Sequence, residues 1–296
     1  MIKKRFSIRF ILKTAFLFAA ALLFLMPTLL TISNSFMSGA EISAHYGVVF
    51  APAREGAYMA ERINLRLIPD MVTLSQYDAV LLRTPTYLLL LLNSMRLVFP
   101  IVLVQVFVAS FAAYSFTRWQ NRWKEILFFT YIILMLMPFQ VTLVPNFLVA
   151  DFLGILDTRR AIWFPGFVAP FSVFLLTKFM RRIPVSYIEA AKLDGASEGQ
   201  IFWKVALPLC RGALYAVVIL VFIDYWNMVE QPLILMRDPD MHPLSVFLSR
   251  LNDANEGEIG IAFAAATIYM VPSLLMFLHG EEYLIEGITY SGGIKG

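Results

Sequence analysis

The residues best suited to a specific interaction lie in one polar stretch, residues 189–208, between two strongly apolar segments. Pro184 is a residue type that starts helices, and Ser186 with Glu189 has the spacing of a capping box. Gly195 can form a turn, and Ser197 with Gln200 repeats the capping-box spacing. Pro208 is expected to stop the second helix. The pattern predicts a short helix through Leu193, a glycine turn and a second short helix.

The first of these helices carries side chains that suit a docking surface. Glu189 can accept a charge-assisted hydrogen bond from an Arg or Lys of another protein. Ala190 and Ala191 are small, so the helix can approach a partner closely. Taken alone, these residues are equally consistent with a capped and solvated connector, so both interpretations stay open at this point.

Side chains for catalysis or metal binding are few and scattered. His45, His242 and His279 lie far apart and form no metal-binding pair. The single cysteine, Cys210, excludes an intrachain disulfide and a thiolate metal cage. The sequence has no Walker A motif, so we do not expect this chain to hydrolyse ATP alone. The sequence therefore predicts no catalytic residue, no metal site and no cofactor bound by this chain.

The composition is that of a membrane protein. Hydrophobic residues make up 59% of the chain and charged residues 15%, with a mean hydropathy of +0.71. A soluble domain has roughly 25% charged residues. The net charge of +3 comes from Lys and Arg scattered at the ends of apolar runs, which is not the clustered basic face of a nucleic-acid-binding protein.

Six apolar segments predict an all-α, polytopic membrane protein with six transmembrane helices, since each can cross about 30 Å of hydrocarbon. They lie at about 15–32, 93–116, 126–150, 161–180, 212–229 and 259–278. The first resembles a signal peptide in its basic start but is longer than a usual apolar region of about 7–15 residues. The predicted organisation is a first helix plus external loop (1–92), a transmembrane core (93–290) and a cytoplasmic tail (291–296).

The distribution of basic residues predicts the orientation. Six spans place both termini on one side, and cytoplasmic loops carry an excess of Lys and Arg. With the N-terminus inside, fifteen of the 24 Lys and Arg residues fall on the inner side. Both termini and the polar stretch 189–208 are therefore expected in the cytoplasm.

The polar stretch also matches a family pattern. Glu189-Ala190-Ala191, then Gly195, then Val205-Ala206-Leu207-Pro208 after nine residues resembles the EAA loop of ABC importer permeases, with Val205 in place of Ile. An ordered series resembles the maltose-type, carbohydrate-uptake branch: Asn93-Ser94, Ala112-Ala113-Tyr114, Met137-Pro138-Phe139-Gln140 with Pro145, Leu156-Asp157-Thr158, Trp226-Asn227, Pro232-Leu233 and the ending Gly292-Gly293-Ile294-Lys295-Gly296. The resemblance implies a set of ATPase-coupling residues: Glu189, Ala190, Ala191, Asp194, Gly195, Leu207 and Pro208.

The resemblance further implies a function and partners. The chain is expected to form half of the pore of a binding-protein-dependent importer for a mono- or oligosaccharide in the bacterial inner membrane. Its expected partners are a second permease subunit in a heterodimer, two ATPase subunits that bind ATP and Mg²⁺, and an extracytoplasmic solute-binding protein. The alternative is an ion- or proton-driven secondary transporter, which would need a repeat with broken helices and charged residues at the bilayer midplane. A third class, a membrane-embedded enzyme, would need clustered His, Asp or Glu.

Polar and aromatic residues in the spans are candidates for the substrate path. Asp224 lies in the fifth span, where a charge is costly and by default functional; it is expected to line the path, to pair with Arg96, or to sit half-solvated at the interface. Trp226, Asn227 and Gln140 complete this set. For Gln105, Gln140 and Asn146 we favour helix-to-helix hydrogen bonds over sugar contacts, and for Tyr114, Phe139, Trp163 and Trp226 interface anchoring over sugar stacking.

Overall fold

The computed structural model of the chain describes residues 8–50, 66–118, 121–250 and 259–289, and this part of the chain is helical without a β-strand. The basic residues before residue 8 and the predicted tail 291–296, with its glycine-rich ending, lie outside the described residues.

The chain divides into two compact units. Unit 1 comprises Met1–Leu88 with Arg250–Tyr269, and unit 2 comprises Leu89–Ser249 with Met270–Gly296. The first boundary follows Leu88, and the predicted division after residue 92 stays a prediction. The grouping of residues 250–269 with the N-terminal unit was not predicted.

Unit 1 begins with two helices, α1 (Ile8–Asn34) and α2 (Gly39–Phe50). The 27-residue α1 is about 40 Å long at about 1.5 Å per residue. It exposes its apolar side chains, as a lipid-facing helix does; Phe24 is 82% exposed. A short α3 (Ser75–Asp78) continues as a π-helical turn, Ala79–Arg83. The predicted external loop thus contains short helical pieces, while its residues 51–65 lie outside the described part.

The first long helix after this loop is α4 (Pro85–Arg118), which begins in unit 1 and continues through unit 2. Pro85 occupies its first position, where a missing backbone N–H costs nothing. Its 34 residues extend the predicted second span, 93–116, by several residues at its N-terminal end.

The predicted third span is broken. Helices α5 (Arg122–Met135) and α6 (Phe139–Phe152) meet at an angle of 105°. The break follows from Pro138, which disfavours helical backbone at the residue before it and serves as the N-cap of α6. The prediction of one continuous helix across 126–150 is therefore wrong, although Pro145 is accommodated inside α6.

The remaining helices of unit 2 include those of the polar stretch and those that precede and follow it in the chain. They are α7 (Arg160–Gly166), α8 (Pro170–Met180), α9 (Val185–Leu193), α10 (Glu198–Ile201) with a π-helical continuation Phe202–Ala206, α11 (Leu207–Leu209), α12 (Arg211–Trp226), α13 (Glu230–Leu235), α14 (Leu244–Ser249) and, beginning in unit 1, α15 (Ile259–Thr289). A 3₁₀ turn, Pro239–Met241, lies between α13 and α14.

Four of the described helical segments are long and apolar enough to span a membrane: Leu12–Asn34, Pro85–Arg118, Arg160–Met180 and Gly260–Tyr283. Up to six spans result if each of two bent pairs is counted as one, α5 with α6 and Glu198–Leu209 with α12. The second pair is bent by 75°, so the axis of α12 points in a different direction from that of Glu198–Leu209.

A glycine sets how closely two of these helices approach within unit 2. A Cβ added at Gly280 of α15 would lie 1.9 Å from Cδ1 of Ile219 on α12. A larger residue at this position would require the Ile219 side chain to move, so Gly280 favours the close approach that small residues give between membrane helices.

Candidate coupling site

The polar stretch folds as the sequence predicts, as a helix, a glycine turn and a second helix. Helix α9 ends at Leu193, and Gly195 adopts a φ of +79°, the left-handed conformation that closes many helices. Helix α10 then begins at Glu198. We call residues 185–209 the coupling loop.

One of the two predicted capping boxes is present. The hydroxyl of Ser197 accepts from the backbone N–H of Gln200 at 3.4 Å, and the Gln200 side chain accepts from the backbone N–H of Ser197 at 2.9 Å. The predicted pairing of Ser186 with Glu189 is wrong. Pro184, rather than Ser186, is the N-cap of α9, so Ser186 lies inside the first turn.

Pro208 does not stop the second helix, contrary to the prediction. The helix continues through Leu209 and ends at Cys210. Pro208 has no N–H to donate to the carbonyl of Lys204 four residues earlier. The backbone accommodates this loss by widening into the π-helical turn Phe202–Ala206, a common adjustment where a helix loses a regular hydrogen bond.

Helix α9 presents a largely exposed surface. Among its nine residues only Ile188 is buried. Leu193 is 89% exposed and Tyr187 55% exposed, and Glu189 lies exposed between them. Such a surface on a short polar loop, outside the four long apolar helices, is typical of a protein–protein contact.

The other predicted coupling residues follow the same distribution. Ala190, Asp194, Gly195 and Pro208 are exposed, while Ala191 and Leu207 are half-buried. The predicted set therefore lies largely on the accessible surface of the loop, and its role in ATPase contact stays a prediction.

The second loop helix is fixed to the end of α4 through Glu198, a residue that the sequence did not single out. The Glu198 carboxylate accepts from the Tyr114 hydroxyl at 2.7 Å and from Lys192 Nζ of α9 at 2.9 Å. A guanidinium nitrogen of Arg118 lies 3.6 Å from the same carboxylate. We call Tyr114, Arg118, Lys192 and Glu198 the Glu198 junction. The S-x-x-Q spacing predicted where this helix starts. It did not predict the contact between Glu198 and Tyr114, which lie 84 positions apart in the sequence.

A cavity of about 410 Å³ lies beside the start of α9. Its walls come from the end of α4, the start of α5, the end of α8 and the start of α9; they include Thr117, Lys124, Met180, Val185 and Ile188. Ala206 of the second loop helix also lines the cavity. The two loop helices differ in their attachment, since α10 bonds α4 directly through Glu198, whereas α9 bonds it through Lys192 and Glu198.

Gln105 of α4 bonds a neighbouring helix, α8. It is 2% exposed and donates to the hydroxyl of Ser172, which is fully buried, at 2.6 Å. The Gln105 side-chain oxygen is buried without a hydrogen-bond partner in the described part of the chain. The favoured interpretation of Gln105 as a helix-to-helix contact agrees with this geometry.

We expect Ser172→Ala to be more destabilising than the double variant Gln105→Leu/Ser172→Ala. The single change leaves the whole Gln105 amide buried and unpaired, at a cost of about 1 kcal/mol or more, whereas the double change removes both partners. Thermal unfolding in detergent measures the difference, which amounts to about 2–4 °C for a chain of this size. Equal or greater loss in the double variant would contradict the assignment.

Asp224 does not pair with Arg96. Both side chains are exposed, on α12 and α4, and neither takes part in an ion pair of the described residues. That predicted pairing is therefore wrong in this structure, and a role for Asp224 in the substrate path stays a prediction.

The other path candidates divide by burial. Trp226 is 1% exposed and stacks on Phe222 at 5.1 Å, so its ring is a core element of unit 2 in this conformation. Asn227 is exposed and donates to the carbonyl of Ile223 at 2.8 Å. Gln140 is exposed and Asn146 half-buried on α6. Their contact with a sugar stays untested.

A polar network at the other end of α4 holds the segment between α13 and α14. Asn93 donates to the carbonyls of Asp240 at 2.6 Å and His242 at 3.3 Å, and Arg159 donates to the Asn93 side-chain oxygen at 3.1 Å. The hydroxyl of Ser94 accepts from the backbone N–H of Leu244 at 2.9 Å. The Asn93-Ser94 pair of the family pattern thus has a structural role here.

Three side chains that can bind metals converge in unit 1, although the sequence showed no such cluster. Ligand atoms of Glu41, His45 and Asp70 lie within 4.8 Å of one another. Glu41 accepts from the backbone N–H of Asp70 at 2.7 Å, and Asp70 forms an ion pair with Arg66. These contacts hold Glu41 and Asp70 in place through protein groups alone.

Known proteins resemble the chain over most of its length. It is 27% identical over 273 residues to the arabinooligosaccharides transport system permease protein AraQ of Halalkalibacterium halodurans, which spans 92% of this chain and 98% of that protein. It is 28% identical over 235 residues to the trehalose transport system permease protein SugB of Mycobacterium tuberculosis, with coverages of 78% and 85%.

The fold has a counterpart among solved structures. A chain of a bacterial ABC transporter involved in the import of the acidic polysaccharide alginate superposes with a TM-score of 0.77 at 24% identity, over 96% of this chain and 99% of that one. The family model described as "binding-protein-dependent transport system inner membrane component" matches residues 105–280, which include the coupling loop and the Glu198 junction. With more than half of its length in that match, the chain belongs to this family and is a permease subunit of an ABC importer.

Proposed function

We propose that this permease carries a mono- or oligosaccharide across the inner membrane and takes the energy for transport from a separate ATPase that binds the coupling loop. The similarity to permeases named for arabinooligosaccharides and trehalose supports the sugar class. The exposed surface of α9 carries the proposal of ATPase binding, because this nearly unburied helix of the polar stretch presents Leu193, 89% exposed, to a partner.

The proposed assembly contains a second permease subunit, two ATPase subunits and an extracytoplasmic binding protein. The family description supports the binding protein. The excess of basic residues on one side supports cytoplasmic termini and a cytoplasmic coupling loop. The six-span arrangement, with α5–α6 as a bent span and α12 as the fifth, belongs to the same proposal.

In the proposed mechanism ATP and Mg²⁺ bind to the ATPase subunits, and this chain contributes contacts and movement only. Glu189 accepts a charge-assisted hydrogen bond from a basic residue of the ATPase. The exposed Tyr187 and Leu193 supply the apolar part of the contact. Closure of the ATPase pair on ATP displaces the coupling loop, and the membrane helices attached to the loop change the access of the sugar path.

Co-purification tests this proposal directly. We would express the tagged chain together with the second permease subunit and a candidate ATPase. The purified assembly would then be reconstituted in vesicles with the binding protein. We expect the ATPase to be retained and sugar uptake to require ATP. Purification of the permease pair without ATPase, together with uptake driven by an ion or proton gradient, would overturn the proposal in favour of a secondary transporter.

A further inference from the structure

Glu198 links three helices at one carboxylate. Lys192 of α9 and Tyr114 of α4 donate to it directly, and Arg118 of α4 lies within 4 Å. Glu198 itself begins α10. A carboxylate can accept several hydrogen bonds at once, and those from charged donors are stronger than neutral ones. Within the coupling loop, this carboxylate therefore ties both loop helices to α4.

Aromatic packing next to the carboxylate strengthens the same attachment. Phe202 is 2% exposed. Its ring stacks on Phe111 of α4 at 4.5 Å and meets the Tyr114 ring edge-on at 5.2 Å. Aromatic pairs of this geometry contribute beyond the area that they bury. The second loop helix is thus attached to the end of α4 through a polar and an apolar contact together.

Helix α9 has no comparable attachment within the described residues. Ile188 is its only buried residue, and the cavity of about 410 Å³ is lined by the start of α9, the ends of α4 and α8, the start of α5 and Ala206. A force applied to the exposed surface of α9 thus has space in which to displace this helix. Through Lys192 and Glu198 that displacement reaches α4.

We propose that Glu198 is the positioning residue that transmits movement of the coupling loop to α4, with Tyr114 as its partner on the membrane helix. The inference rests on the proposed function, because it assumes that an ATPase moves α9. It adds the specific link from the loop to the 34-residue α4, which spans the membrane in the proposed arrangement.

The test uses the reconstituted assembly with the variants Tyr114→Phe, Glu198→Ala and their combination. Tyr114→Phe removes one hydroxyl and keeps the ring against Phe202. We measure ATPase retention, ATP hydrolysis and sugar uptake in the same vesicles. Tyr215→Phe is the matched control, because Tyr215 lies on α12, half exposed and stacked on Tyr283.

We expect Tyr114→Phe, which lies outside the coupling loop, to retain the ATPase and to hydrolyse ATP within about twofold of the wild type. In both single variants sugar uptake per ATP should fall about tenfold. The double variant should be no worse than Glu198→Ala, because Glu198→Ala already removes the contact that Tyr114→Phe removes. The Tyr215→Phe control should behave as wild type.

Two outcomes would overturn the inference while leaving the proposed function intact. One is unchanged uptake per ATP in both variants. The other is loss of the ATPase from Tyr114→Phe, which would show that the junction holds the loop in shape rather than transmits its movement. Failure of the wild-type chain to retain any ATPase is a separate result, and it would remove the proposed function and this inference together.

Discussion

Glu189→Arg should abolish stable binding of the ATPase while the permease remains folded. Glu189 is exposed on α9, between Tyr187 and Leu193, so its replacement disturbs no internal contact of the described chain. If Glu189 meets a basic residue of the ATPase, the variant places two positive charges together at the contact. Such a juxtaposition costs about 3 kcal/mol, which is about 100-fold in affinity.

The measurement is the amount of ATPase that co-purifies with the tagged permease pair, with thermal unfolding as a check on folding. Glu230→Arg is the matched control, because Glu230 is also an exposed glutamate of a short helix, α13, away from the coupling loop. The control should retain the ATPase fully. Equal retention by Glu189→Arg would show that α9 is a connector and not the docking surface.

The short-range features of the coupling loop were predictable because they depend on neighbouring residues. Gly195 marks a left-handed turn, and Ser197 with Gln200 marks the start of a helix, whatever the rest of the fold does. The same reasoning misplaced the first cap, because Ser186 and Pro184 both offer a start and the sequence alone does not rank them.

The Glu198 junction was not predictable from local patterns. Tyr114 and Glu198 are 84 positions apart, and their contact depends on how the end of α4 packs against the loop. Tyr114 looked like an aromatic anchor at a membrane interface, yet it is buried and bonded. A tyrosine near a span end suits both environments, since its ring is apolar and its hydroxyl polar.

The bend between α5 and α6 shows a different limit. A proline inside a membrane helix is tolerated when neighbouring groups satisfy the freed carbonyl. Pro145 is an example within α6. Pro138, in contrast, is the N-cap of α6 and lies at the break where α5 and α6 meet at 105°. The two prolines are only seven positions apart in the same apolar run. Their different outcomes depend on packing partners that the sequence does not identify.

Gly195→Val should reduce ATPase binding through the backbone alone. A Cβ at Gly195 meets nothing within 4 Å, so the change causes no clash. Its φ of +79° is nevertheless a conformation that a β-branched residue avoids. Such strain costs about 2 kcal/mol, and the loop then adopts its docking conformation in only a few per cent of molecules. Because apparent affinity falls with the competent fraction, we expect binding weaker by about 30-fold.

Two variants separate this effect from general destabilisation. Gly154→Val is the matched control, because Gly154 has a φ of +63°, an equally open environment and a position in the turn after α6, outside the coupling loop. It should carry a similar strain and still retain the ATPase. Gly195→Asn should bind within about threefold of the wild type, because asparagine tolerates the left-handed conformation. Loss of binding in Gly154→Val, or equal binding in Gly195→Val and Gly195→Asn, would show that the left-handed turn does not position the docking surface.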